Sequence, residues 1–200
     1  GVLPRNEFLA KNNLVEKPIL AILPGSRKQE ISIKLPIMIE AARRVKDLQI
    51  VVAGAPNMTD EFYNQFINAD IKVIHGQTYN LLAHAHTAIV TSGTATLETA
   101  LFKVPQVVCY KGSNFSYQIA KRLVKIKYIS LVNLIMDQEI IKELIQKECT
   151  PDLIYEEVDL LINNENHRNS VVSSYEKMHA KLGVGGASEK VAQSLLKTIQ

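Results

Sequence analysis

Cysteine is scarce in this sequence. The two that occur, Cys109 and Cys149, are far apart and lack the spacing of a metal site. That scarcity excludes a disulfide framework and points to a reducing, cytoplasmic setting. Long apolar runs are also missing. Stretches such as Ile19–Leu23 and residues 88–90 are far too short to span a bilayer. No single sign of charge dominates either, since 23 Lys and Arg face 20 Asp and Glu for a net charge of +3. This is not the dense, one-faced positivity of a nucleic-acid binder, although a mild positive balance suits a polyanionic small ligand or an anionic membrane surface. There is no low-complexity tract and no internal repeat, and with 46% hydrophobic and 22% charged residues the composition argues against disorder. The 200 residues suit one α/β domain with a helical appendage. The opening Gly1-Val2-Leu3-Pro4-Arg5 reads as neither a signal peptide nor an initiator, so a piece of a longer chain is expected.

What is present is an alternation. Short β-branched runs are separated by stretches of helical periodicity, the pattern of a parallel sheet with crossover helices. Strands are predicted at Ile19–Leu23, 48–53, 71–74, 88–91 and Gln106–Tyr110, with a sixth extended segment at 128–134. Helices are predicted over 31–45, around Phe62 and Phe66 with Thr59 or Asp60 as cap, over 79–84, 96–102 and 115–124. From Gln138 the pattern is helical almost to the end, interrupted at Thr150-Pro151 and at residues 183–188. The expectation is a Rossmann-like, doubly wound α/β domain. Residues 1–17 would be a linker or the remnant of a preceding half, 18–150 the Rossmann-like nucleotide-sugar-binding domain, and 151–200 a C-terminal helical tail.

In such sheets a ligand lies beyond the carboxyl ends of the strands, facing backbone amides at helix N-termini. Two strand-to-helix turns have suitable chemistry. In Leu23-Pro24-Gly25-Ser26-Arg27, Gly25 allows close backbone approach, Ser26 offers a hydroxyl, and Arg27 a forked cation matched to phosphate. The competing reading is a plain turn with a solvated Arg27-Lys28 pair. In Thr91-Ser92-Gly93-Thr94-Ala95-Thr96-Leu97-Glu98, four hydroxyl residues surround a glycine where a strand meets a helix. Free amides and the helix dipole would cradle an anion there, and Glu98 could accept hydrogen bonds from a ribose diol. The competing reading is a Ser/Thr cap with Glu98 completing a capping box. Two such turns on one sheet favour a nucleotide. Neither is a Walker A loop or a three-glycine dinucleotide fingerprint, which counts against an ATPase or an NAD enzyme.

These strings, in order and spacing, resemble the C-terminal half of the lipid-A-disaccharide synthase family. Further resemblance comes from Pro105-Gln106-Val107-Val108-Cys109-Tyr110-Lys111, Ala120-Lys121-Arg122-Leu123-Val124, Tyr128-Ile129-Ser130-Leu131-Val132-Asn133-Leu134, and Glu139 with Lys142-Glu143-Leu144. The resemblance runs from about Ile19 to Gly185. It implies one half of a GT-B architecture, binding the UDP part of UDP-2,3-diacylglucosamine. The whole enzyme would transfer the sugar with inversion to 2,3-diacylglucosamine 1-phosphate, with no metal or other cofactor. Gly25, Ser26 and Arg27 would face diphosphate or sugar, Ser92, Gly93, Thr94 and Thr96 the pyrophosphate, and Glu98 the ribose. Tyr110 and Lys111 would share the rim, and Asn133 and Glu139 would line the donor site. The sequence departs from the family where Val132 replaces a usual proline and Asp137-Gln138 replaces Gly-Arg, so no arginine role passes to Gln138. The general base would lie in the N-terminal half.

Other groups carry weaker expectations. His84 and His86 lack a third metal ligand at a suggestive spacing, and His75, His167 and His179 lack sequence partners. Lys121, Arg122, Lys125 and Lys127 read as a solvated helix end, with attraction to anionic lipid at the inner membrane as the alternative. The glycine-rich residues 183–188 read as a hinge that would let the final helix, 190–199, exchange between subunits of a homodimer. The competing functions are another UDP-sugar enzyme, such as a UDP-N-acetylglucosamine 2-epimerase or a MurG-like transferase, and a non-catalytic nucleotide-binding module. An epimerase is disfavoured because Thr94-Ala95 stands in place of its glycine and Thr99, not an acid, follows Glu98.

Overall fold

A computed structural model describes residues 1–112 and 127–183 of the chain. Six parallel strands form one sheet: β1 (Ile19–Leu23), β2 (Gln49–Gly54), β3 (Lys72–His75), β4 (Ala85–Thr91), β5 (Gln106–Tyr110) and β6 (Glu143–Ile145). Their order is β3-β2-β1-β4-β5-β6, the Rossmann arrangement in which the strand order reverses between β1 and β4. The doubly wound fold expected from the alternating pattern is therefore present.

The sequence of β1 explains its central place. All five of its residues are buried, and successive side chains point to opposite faces. Leu20 and Ile22 join one core with Ile31, Leu35 and Met38 of α2 (Lys28–Ala42) and with Ile154 and Val158 of α7 (Pro151–Asn163). Ile19, Ala21 and Leu23 join the other core, with Phe8 and Leu9 of α1 (Arg5–Lys11) and Leu81 and Leu82 of α4 (Thr78–His84). Residues 1–17 thus include a helix, α1, whose Phe8 and Leu9 pack into the core on one face of the sheet.

The second half of the chain differs from the sequence reading in two places. The expected strand at 128–134 is replaced by a short helix, α6 (Leu131–Met136), with Ser130 accepting a hydrogen bond from the Asn133 amide as its cap. The sixth strand lies later, within the stretch read as continuously helical. Glu143, Leu144 and Ile145 pair with β5 in register Val108↔Glu143. Helix-favouring Glu and Leu are overridden there by the open edge of β5, which only tertiary structure reveals. The helix expected around Phe62 and Phe66 spans only α3 (Asp60–Tyr63).

Thr150 caps α7 through the Leu153 amide, with Pro151 in its first turn. Then α8 (Glu165–Leu182), capped by Asn164, closes a third cluster with Val171, Tyr175 and Met178. The Tyr175 hydroxyl is fully enclosed and accepts a hydrogen bond from the Gln106 side chain at 3.3 Å. Burial pushes its pKa far above the usual 10. The folded state therefore keeps a proton that the unfolded chain sheds above pH 10, and this contribution to stability is lost as pH rises past that value. Tyr175→Phe should flatten the fall in urea-melt stability between about pH 9 and 11; an unchanged slope would show that Tyr175 does not govern it.

The helices expected at 115–124 and 190–199, the cluster residues Lys121, Arg122 and Lys125, and the hinge beyond Gly183 lie outside the described residues. Among the described residues no helix is long and apolar enough to cross a membrane.

Candidate functional site

The last residue of β1, Leu23, pairs with Val90, one residue before β4 ends at Thr91, so the turns that follow the two strands open onto the same edge of the sheet. The first turn leads into α2 and the second into α5 (Thr94–Leu101). Gly25 has φ +112°, and a Cβ there would stand 3.1 Å from Glu30 Oε2, so both backbone and space call for glycine. Gly93 has φ +145°, and its open side is clear, with nothing within 4 Å of where a Cβ would stand.

Neither helix is capped by a side chain at its N-terminus. The capping box weighed for residues 92–98 does not form. Thr96 Oγ1 donates instead to the Gly93 carbonyl at 2.8 Å, and Ser92 Oγ to the Ile129 carbonyl at 3.0 Å. The turns that enter these two uncapped helices therefore open on one space: Gly93, Thr94 and Ala95 at the start of α5 line it directly, and the α2 side meets it through Gly25, Ser26 and Glu30, near a helix end equivalent to about half a positive charge.

That space is a hollow of about 250 Å³. Of the residues singled out in sequence, Gly25, Ser26, Ser92, Gly93, Thr94 and Glu98 line it, so both turns share one wall system. Glu98 also borders a second hollow with Thr78, Tyr79 and Phe102. The Tyr79 hydroxyl donates to its Oε1 at 3.5 Å, and the Tyr79 and Phe102 rings pack 5.7 Å apart.

Six of the sequence candidates stand elsewhere. Arg27 is not among the lining residues; its side chain is 82% exposed and meets Glu30 at 3.4 Å. Thr96 is buried beneath Gly93. Tyr110 ends β5, and Lys111 Nζ donates to the Cys149 carbonyl at 3.3 Å. Glu139 is exposed and pairs with Lys142. Asn133 is wholly buried and uses both ends of its amide internally. It donates to the Ile141 carbonyl and Glu143 Oε1, both at 2.8 Å, and accepts from the Ile140 and Ile141 amides at 2.8 and 3.1 Å. Glu143 in turn accepts from the Ile129 and Ser130 amides and from the Ser130 hydroxyl. The bond from Ser92 to Ile129 ties this knot to the hollow.

The structure adds residues that the sequence reading passed over. Ala53, Gly54, Ala55 and Pro56, at the end of β2, make a third wall, with Thr78 beside them. Tyr63 accepts the Ala55 amide at 2.8 Å and so fixes that wall. The His75 ring closes over Gly54, where any Cβ would lie 2.5 Å from Nδ1, and Asp60 holds the ring from its other side at 2.8 Å. Beneath the hollow lies Lys34, only 3% exposed, which donates to the Thr91 hydroxyl and sits 3.8 Å from Glu30 Oε2. Burial lowers its pKa, with Glu30 opposing the shift. A readable signal existed, because Lys34 falls on the inward stripe of α2 with Ile31, Leu35 and Met38. Cys109, buried and hydrogen-bonded with Cys149, has its thiol pKa raised well above the ordinary range.

The histidine pair divides between two tasks: His84 Nε2 meets the Leu3 carbonyl at 2.8 Å, while the His86 carbonyl accepts from Arg168. Among the described residues no group of three or more His, Cys, Asp or Glu could hold a metal ion.

Among solved structures, a Staphylococcus aureus MnaA–UDP co-structure superposes with a TM-score of 0.66 at 16% identity, covering 99% of this chain and 51% of that one. The spinosyn forosaminyltransferase SpnP superposes with 0.59 at 16% identity, covering 100% and 47%. At such identity the likeness is one of fold. In sequence, the lipid-A-disaccharide synthase of Coxiella burnetii (strain CbuK_Q154) is 37% identical over 196 residues, covering 96% of this chain and 52% of that protein. The chain spans about half the length of the curated relatives it matches. The model of the family described as lipid-A-disaccharide synthetase matches residues 4–197, and the chain belongs to that family.

Proposed function

We propose that this chain is the donor-binding half of an inverting glycosyltransferase of lipid A synthesis. In this reading the hollow between the first turns of α2 and α5 holds the diphosphate of UDP-2,3-diacylglucosamine, and Glu98 takes the ribose hydroxyls. The observation that carries it is that the turns entering two uncapped helices, through Gly25 and Ser26 on one side and residues 92–95 on the other, line one hollow at the point of strand-order reversal. The hollow's 250 Å³ falls short of the roughly 300–1,000 Å³ of complete small-molecule sites, as expected for one side of a cleft whose other side is a second domain.

Transfer to the hydroxyl of 2,3-diacylglucosamine 1-phosphate breaks the bond between the anomeric carbon and the β-phosphate oxygen, leaving a growing negative charge on that phosphate. Backbone amides at Ser26, Thr94 and Ala95, with the nearby hydroxyls, are fixed in advance to stabilise it. A divalent metal is then not required. The general base that takes the acceptor proton belongs to the partner half, so this chain alone binds without turnover. Work on the cytoplasmic side, at the membrane surface where acylated sugars reside, completes the reading.

Calorimetric titration in chelator with UDP, ADP and NAD tests it. UDP should bind best. Glu98→Ala should weaken UDP about tenfold, by loss of charge-assisted hydrogen bonds, and Arg27→Ala about threefold, because an exposed cation contributes less. A preference for ADP or NAD, or indifference to both substitutions, would refute the assignment.

A further inference from the structure

Every neighbour of Lys34 on the inward stripe of α2 is apolar, yet its side chain is only 4% exposed. Enclosing an ammonium is costly unless it is paired, and an apolar residue of similar length would fill the same volume without that cost. The buried thiols of Cys109 and Cys149 lie near it on the core side, and three contacts tie it to the hollow. Its Nζ donates to Thr91 Oγ1, lies 3.8 Å from Glu30 Oε2, and sits directly beneath Gly25, 3.9 Å from the position of a Cβ on that glycine. Thr91, Glu30 and Gly25 all line the hollow.

An ammonium has three donors and no acceptor, so Thr91 Oγ1 must accept from Lys34. The hydroxyl's own proton is left to be given elsewhere, and Thr91 borders the hollow. Glu30, the carboxylate at this floor, is held between Lys34 on one oxygen and Arg27 on the other, at 3.8 and 3.4 Å. Its charge is thereby answered from within the protein before any ligand arrives.

We propose that Lys34 is a positioning residue that sets phosphate selectivity: its buried ammonium turns the Thr91 hydroxyl into a donor toward the hollow, neutralises Glu30, and adds a fixed positive charge beneath the two turns. The hollow then selects a nucleoside diphosphate over the monophosphate and the bare nucleoside. This rests on reading the hollow as the site of a nucleoside diphosphate.

The test is titration of uridine, UMP and UDP, in chelator, against the wild-type chain and the Lys34→Met, Thr91→Val and Glu30→Gln variants, with a thermal melt of each. Lys34→Met should weaken UDP about 10- to 30-fold and UMP about threefold, and leave uridine within about twofold, because the lost charge acts on phosphate alone. Its melting temperature should not fall, since a buried charge has been exchanged for an apolar chain. Thr91→Val should follow the same gradient more weakly, and Glu30→Gln should tighten UDP. If wild type binds UDP but Lys34→Met weakens all three ligands equally, or none, Lys34 is a packing residue and the proposal falls while the site stands. If wild type shows no UDP binding, the site reading falls and this proposal with it. Should Lys34→Met fail to fold, a uniform loss in Thr91→Val with no gain in Glu30→Gln would overturn the proposal equally well.

Discussion

Replacing Gly25 by valine is expected to remove measurable UDP binding and to lower the melting temperature by several degrees. The residue sits at φ +112°, where a β-branched side chain is strained. Its Cβ would stand 3.1 Å from Glu30 Oε2 and 3.4 Å from Thr91 Cγ2, and valine's two methyls extend beyond that. The backbone strain alone costs about 1–3 kcal/mol, which at about 2–4 °C per kcal/mol for a domain of this size is visible in any melt. The binding loss should be larger, more than about 100-fold, because the turn must swing away from α5 and the two turns cease to converge. Gly93→Ala is the matched control. Nothing lies within 4 Å of its added methyl, so its packing cost is smaller while the methyl enters the ligand's space. A Gly25→Val chain that bound UDP as wild type does would show that the first turn is a bystander.

Asn133→Leu should show the reverse division, a large loss of stability with little loss of affinity in the folded protein. The carboxamide satisfies two backbone amides, one carbonyl and one carboxylate oxygen inside the protein. Leucine leaves these buried groups without their partner, at about 1–3 kcal/mol each. Even with partial relaxation a loss of about 4 kcal/mol is expected, a large share of the roughly 5–15 kcal/mol typical of a whole domain. Chemical denaturation measures it, and UDP titration of the folded fraction should change by less than about threefold. If the variant instead kept wild-type stability and lost UDP, Asn133 would be the donor-site residue that the family resemblance implied, and its internal role would be secondary.

Strands β1 and β5 were legible because they are buried along nearly their whole length and so read as largely apolar runs. Ile19–Leu23 and Gln106–Tyr110 coincide with their predicted limits. Legibility failed where context outweighs composition. Glu143, Leu144 and Ile145 look helical in isolation and become a strand because β5 offers an unpaired edge. Residues 128–134 read as extended, yet Leu131–Met136 is helical once Ser130 caps it and Glu143 clamps the preceding amides.

The site divides along the same line. Gly25, Ser26, Gly93 and Thr94 could be found because strand-end glycines and hydroxyls carry a local signature. The wall at Gly54–Pro56 could not, because its place beside β1 depends on strand order, which no local pattern encodes. Lys34 broke the apolar stripe of α2 in plain view, but its partner Thr91 lies 57 residues away.

Assigned backbone amide resonances of the chain, followed during addition of UDP in the presence of chelator, show where the nucleotide sits. The largest shifts should fall on Ser26, Gly93, Thr94 and Ala95, with Thr91 beside them and with no need for a divalent metal. Shifts gathered instead around another hollow, such as that between Arg44 and Tyr155, or none at saturating nucleotide, would contradict this placement.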